Sequence, residues 1–330
     1  MNLRACLRYE ISQLKLRKKE MFVFFALLFC LLTFLSLLPL LLERGNGLVY
    51  PSDKTKEEIL ASYQNGLDAL LTSPHINETK TQIQIHYLQY FLNSGTTQYD
   101  YLTLGDLCYI QAGAKFLAFS FSLLEGGAYV CFGLATLASL YFVVLPYERG
   151  SLRLSVLSGA DRRRLWEAKT LLGLPPVLML ASLMLAISLI LGSNALGQQI
   201  LFMRGIDFIA VPVWNILLSR YLGIMLGSTF FFFLVALVGL VSKRSSVALA
   251  VAILLFSITL LFLGYDGKWG YRGELTEEKQ YLAFLLLGAD FLAGSSYGFV
   301  FEATIFFPAA AALDTLLLLS YKKRFLKVPL

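Results

Sequence analysis

Six long apolar stretches constrain this chain more than anything else in it. They are Met21–Leu42, Phe116–Leu145, Leu171–Leu191, Trp214–Val241, Val247–Gly264 and Gly298–Ser320. A helix needs about 20 apolar residues to cross the roughly 30 Å hydrocarbon core of a bilayer, and each stretch meets or approaches that length. A soluble domain carries about 25% charged residues, whereas here 15% are charged, 57% are hydrophobic, and mean hydropathy is +0.66. The sequence therefore predicts an all-α membrane protein with six transmembrane helices. The second and fourth stretches are longer than a bilayer requires and are expected to tilt or to extend past the interface.

A seventh patch, Tyr281–Ser296, is broken by Gly288, Asp290 and Gly294. Read as a full span, it would place Asp290 near the bilayer centre. Read as a re-entrant or interfacial segment within residues 265–297, it keeps an even number of spans, and that is the reading adopted.

Lys and Arg set the orientation. With the N-terminus in the cytoplasm, the inner segments 1–20, 146–170, 242–246 and 321–330 hold 18 of the 28 basic residues, although the outer segments are far longer. This is the positive-inside bias of multi-pass proteins. Of the 22 acids, 14 fall outside. Both termini are thus expected in the cytoplasm, and the net charge of +6 needs no nucleic-acid partner. The first apolar run is too long for a cleavable signal peptide, and no small-residue cleavage site follows it. Cys6, Cys30, Cys108 and Cys131 have neither metal-like spacing nor a disulfide framework.

Residues 1–20 form a basic amphipathic helix, with Leu3, Leu7, Ile11 and Leu14 on one stripe, suited to the inner membrane surface. Residues 43–115 form a helical outer insertion. Ile59, Leu60, Tyr63, Leu67, Leu70 and Leu71 share one side of its first helix, Pro74 interrupts, and Ile83, Tyr87, Tyr90 and Phe91 mark a second. The only two histidines, His75 and His86, lie here without the acid or Cys cluster that a metal site needs, and are read as surface or half-buried polar groups.

The most informative segment is the cytoplasmic loop 146–170, which reads PYERGSLRLSVLSGADRRRLWEAKT. Ser151 is placed to cap a short helix burying Leu152, Leu154, Val156 and Leu157. Ser158-Gly159 ends it, because glycine tolerates the left-handed conformation. Asp161 then caps the helix that carries Arg162, Arg163 and Arg164 into the third span. This geometry offers apolar side chains and arginines to something in the cytoplasm.

Glu148, Arg149, Gly150, Ser151, Leu152, Leu154, Leu157, Gly159, Ala160 and Arg162, with Lys169 opening the third span, resemble the coupling-helix pattern of the permease subunits of type-2, or type V, ABC exporters. A second acid near Glu148 and a proline at position 159, frequent in that pattern, are not present. The resemblance covers about 22 residues by motif and nearly the whole chain by topology. It implies six spans, a basic interfacial helix before the first, a coupling helix between spans two and three, and re-entrant outer helices between spans five and six. It also implies partners: cytoplasmic ABC ATPase subunits, and a second permease chain as homodimer or homologous heterodimer. ATP and magnesium would sit on the ATPase. This chain carries no G-x-x-x-x-G-K-[ST] phosphate loop, so it is expected to bind no cofactor and not to be an enzyme by itself. The family is common in bacteria, and a plasma membrane is the expected location.

Glu125, Arg220, Glu302 and Asp314 lie inside the stretches. Each would cost about 3 kcal/mol at mid-bilayer. The first three fall roughly 5–15 Å from the outer ends, which suggests that Arg220 pairs with Glu125 or Glu302. Asp314, near Lys322 and Lys323, is expected to reach the inner interface. Gly126, Gly127, Ala128 and Gly133 form a small-residue surface, and spans two and five are the expected contact between permease chains. The aromatic run Phe230–Phe233 suits either a lateral substrate path or a lipid-facing surface.

Other function classes fit less well. A membrane-embedded enzyme needs nucleophiles or metal ligands at depth, yet no histidine lies in a stretch, no H-E-x-x-H occurs, and the one G-x-S-x-G match, Gly294–Gly298, sits at the end of a broken apolar patch and not in the strand-to-helix turn that pattern needs. An ion-coupled secondary transporter would favour internal repeats and helices broken at midplane. A ligand-sensing subunit without net transport remains compatible with the sequence. The substrate, whether lipid, glycan, peptide or drug-like, is not encoded in any motif.

Overall fold

The computed structural model describes residues 3–16, 54–101, 115–157, 159–191, 193, 196–204, 207–268 and 299–327. The stretch Met21–Leu42 and the patch Tyr281–Ser296 lie outside the described residues. In chain order the helices are α1 (Leu3–Leu16), α2 (Lys56–Leu71), α3 (Thr79–Ser94), α4 (Lys115–Ser139), α5 (Leu145–Glu148), α6 (Ser151–Leu157), α7 (Arg162–Leu191), α8 (Val213–Ser242), α9 (Ser245–Lys268) and α10 (Phe299–Lys327). A hairpin of β1 (Gln199–Arg204) and β2 (Asp207–Pro212) separates α7 from α8. Among the described residues, three helical segments are long and apolar enough to cross a membrane: Gly127–Glu148, Arg162–Ile190 and Val213–Ser242.

Helix α8 is apolar on every side, and such a helix is stable only when surrounded. It is the hub of the bundle, packed against α4, α7, α9 and α10. Phe132 of α4 and Phe231 of α8 stack with centroids 5.2 Å apart. The chain admits that ring only because position 227 is glycine: a β-carbon there would overlap Phe132. Phe231, Phe232 and Phe233 are buried. Three of the four rings of the run therefore pack inside the bundle, and Phe230 is half-buried against them.

Helix α7 shows how the bundle is sided. Val177, Ala181, Met184 and Ser188 turn inward. The hydroxyl of Ser120 in α4 donates to the Ser188 carbonyl at 3.1 Å, and the Ser188 hydroxyl donates back to the Ser120 carbonyl at 3.4 Å. Met179, Leu183, Ile187 and Ile190 form the opposite stripe, all exposed. A run of exposed apolar side chains of that length is a liability in water and natural in lipid.

Between α4 and α5 the helix widens into a π turn, Leu140–Val144. Pro146 follows it after one residue, Leu145. It has no N–H to donate to residue 142, and its ring crowds that carbonyl, so the widened turn sits where the regular ladder would fail. Leu140 and Val144 of this turn pack on Ala248 and Ala252 of α9 and on Val235 of α8.

The insertion between the first and second apolar stretches carries a pair of helices among its described residues. Thr55 and Glu58 form a reciprocal capping box at the start of α2, and Gly95 ends α3 at φ 61°. Among the described residues, Ile59, Leu67, Ile85, Phe91 and Tyr101 are its buried apolar side chains. Leu71, expected on the packed side, is exposed. The β hairpin, whose strand β2 packs against α3, was not anticipated. Its signal is present as two apolar runs around a two-residue Gly205-Ile206 connection.

Candidate functional site

The loop joining α5 to α7 is built by two glycines and one aspartate. Gly150 at φ 73° turns the chain out of α5. Gly159 at φ 90° ends α6, with the Gly159 N–H on the Val156 carbonyl at 3.0 Å and the Ala160 N–H on the Ser155 carbonyl at 3.2 Å, the paired bonds of a Schellman motif. The Asp161 carboxylate accepts the Arg163 N–H at 3.2 Å, which caps α7 as its sequence position suggested. Ser151 does not act as a cap. It is the first residue of α6, and its hydroxyl donates back to the Pro146 carbonyl at 3.0 Å.

The seven-residue helix α6 touches the bundle through one narrow face. Leu152 and Ser155 are buried, and Val156 is half-buried. Leu154 and Leu157, expected to be buried, are 67% and 71% exposed. They stand three residues apart, so they share the outer face, with exposed Arg153 beside them. So short a helix can bury only one side, and the leucine-rich composition conceals which leucines face out.

Three contacts far apart in sequence hold this loop in place. The Glu148 carboxylate accepts the Ser245 N–H at 3.0 Å, tying the end of α5 to the first turn of α9. Arg162 donates to the Leu326 carbonyl at 3.0 Å in the last turn of α10, where a cation suits the helix dipole. Lys169 forms an ion pair with Glu10 of α1 at 2.8 Å, with side chains only 2% and 9% exposed. Lys322 also lies over the Trp166 ring, 5.1 Å from its centroid. The pairs of Arg163 and Arg164 with Glu167 (3.3 and 3.1 Å) lie at the surface, where such pairs contribute little.

Glu10 is the residue that sequence reasoning missed. It is an acid three positions beyond Leu7, on the apolar side of an otherwise basic helix. The inward face of α1 is Leu3, Cys6, Leu7 and Glu10, and Ile11, expected on it, is exposed. The Leu14 side chain lies outside the described ones. Cys6 packs with Ala160 and Ala168, and burial raises its thiol above the usual range. Helix α1 is thus fastened to the loop as well as being amphipathic.

The proposed coupling residues Glu148, Arg149, Gly150, Ser151, Leu152, Leu154, Leu157, Gly159 and Arg162 all sit in this one anchored turn. The intramembrane charges are a different case. Arg220 is buried, while the side chains of Glu125 and Glu302 lie outside the described ones. Asp314 does not reach an interface: it is buried and accepts a hydrogen bond from the Thr229 hydroxyl of α8. Part of the small-residue surface is used within the chain, since Ala128 is fully buried in the core and Ala248 and Ala252 of α9 face the π turn. Gly133 faces open space, one turn from exposed Leu137.

His75 bonds Glu78 at 2.8 Å on the surface of the insertion. Among the described residues no group of three His, Cys, Asp or Glu is arranged to hold a metal ion. No protein-family model, curated protein or solved structure matches the chain.

Proposed function

We propose that this chain is the membrane-spanning permease subunit of an ATP-driven exporter of the type-2, or type V, ABC class. In this reading six helices cross the plasma membrane with both termini in the cytoplasm. Residues 281–296 re-enter from the outer side, and α6 is the coupling helix. A separate ATPase subunit binds ATP and magnesium, and a second permease chain completes the translocation path. The observation that carries the reading is the outer face of α6. Leu154 and Leu157 stand outside the bundle next to Arg153 on a turn anchored to α1, α9 and α10. Exposed leucines on a rigidly held turn make sense as one half of an interface. They lie beside the inner basic segments, where lipid cannot cover them in this topology.

The test is recovery of the chain from native membranes with its partners, followed by the Leu154→Asp/Leu157→Asp pair. Wild-type chain is expected to bring an ATPase subunit with it, and the pair is expected to lose at least tenfold of that association while α6 keeps its anchors. Equal ATPase recovery and equal ATP hydrolysis with both leucines replaced would remove this assignment.

A further inference from the structure

A cleft of about 130 Å³ opens at the foot of the bundle, between α1, the π turn, α6 and the start of α7. That is room for several water molecules, and the walls are of two kinds. Tyr141, Phe142 and Leu145 form the apolar side, while Tyr9, Arg149 and Ser151 form a polar one, with the Glu10–Lys169 pair at the back. The pair is internally neutralised at 2.8 Å. Among the described residues Arg149 makes no salt bridge; the adjacent Glu148 carboxylate, which interacts with it electrostatically, is engaged by the Ser245 N–H and does not line the cleft, so the lining charges alone sum to one positive.

From this lining we infer that the cleft seats the phosphate group of an anionic phospholipid of the inner leaflet. The lining changes from aromatic and apolar to cationic between Tyr141 and Arg149, about 12 Å of helix, which matches the passage from acyl chain to headgroup. A phosphodiester carries a single negative charge and meets Arg149 as a charge-assisted acceptor; in phosphatidylglycerol that charge is uncompensated, whereas in phosphatidylcholine the choline cation offsets it and is repelled by Arg149. The cytoplasmic leaflet is the one rich in anionic lipid. Tyr9 and Tyr141 supply the amphipathic rings that favour this depth. The inference rests on the membrane orientation proposed above and not on the ATPase. Because the lipid walls the back of α6, it would act as a structural wedge beneath the exposed leucines.

The full-length protein in detergent, titrated with phosphatidylglycerol or phosphatidylcholine and read by native mass spectrometry, tests the site. Phosphatidylglycerol is expected to bind about tenfold more tightly than phosphatidylcholine, and Arg149→Gln is expected to remove that preference while Arg149→Lys restores most of it. Arg153→Gln, on the outer face of α6, is expected to leave it intact. If Arg149→Gln does not fold, Tyr9→Leu on the same polar wall is the second lining variant, with the same expected loss. Equal binding of the two lipids, or an equal loss with Arg153→Gln, overturns the site. Soluble glycerol phosphate binding as tightly as phosphatidylglycerol overturns the lipid as its source. None of these readouts involves an ATPase, so failure here and failure of the permease reading are separable.

Discussion

The buried pair between Glu10 and Lys169 makes a sharp prediction about how α1 is held. Its side chains are 9% and 2% exposed and 2.8 Å apart. Removing one partner of such a pair leaves an uncompensated buried charge and costs about 3–5 kcal/mol, whereas replacing both with apolar groups is close to neutral. Cys6 lies one turn away, fully buried against Ala160 and Ala168, so its thiol can be modified only when α1 lifts off. In a background with Cys30→Ser, Cys108→Ser and Cys131→Ala, the rate of maleimide labelling at Cys6 reports that opening. A loss of about 3 kcal/mol corresponds to more than a hundredfold in the opening equilibrium. Lys169→Met alone is therefore expected to speed labelling by about that factor, and Glu10→Leu/Lys169→Met to return within about tenfold of the parent. Unchanged labelling in Lys169→Met would show that the pair does not hold α1. A double variant as reactive as the single would show that packing at this site, and not charge compensation, is what matters.

Two further perturbations follow from packing and titration. Gly227→Ala forces a β-carbon into the Phe132 ring and is expected to destabilise by about 1–3 kcal/mol, despite alanine's better helix propensity. A lower Tm in detergent, largely recovered in Gly227→Ala/Phe132→Leu, is the expected result, and an unchanged Tm would contradict the close approach of α4 and α8. In the helical insertion, burial pushes the Tyr87 phenol up to about 12. Its ordinary value near 10 applies when unfolded, so the stability it contributes is full below about pH 10 and is lost as pH rises toward 12. Thermal unfolding of the full chain should fall across that window by up to about 2 kcal/mol, less in Tyr87→Phe. Identical profiles for the two proteins would refute the assignment.

What could be read from the sequence follows from which forces are local. The helices of the bundle were legible because lipid demands long apolar stretches, and the stops at Gly159 and Asp161 were legible because cap chemistry is written in a few adjacent residues. The inward or outward direction of Leu154 and Leu157 was not, since it depends on which side of α6 meets α5 and α7. Asp314 was misplaced for a related reason. Nearby lysines along the chain suggested an interface, while its actual partner, Thr229, comes from another helix. The hairpin was passed over because both its strands are mostly apolar and lie between long apolar helices, where period-two alternation is faint.

The anchors of the loop between α5 and α7 have a mechanical consequence that no single contact shows. Glu148 holds it to the start of α9, Arg162 to the end of α10, and Lys169 to α1. A push on Leu154 and Leu157 therefore cannot be absorbed by α6 alone and must move three other elements with it. Next to this loop, at the π turn Leu140–Val144, the hydrogen-bond ladder is widened before Pro146. In a permease driven from the cytoplasm this arrangement would make the foot of the bundle a rigid lever and the π turn its hinge.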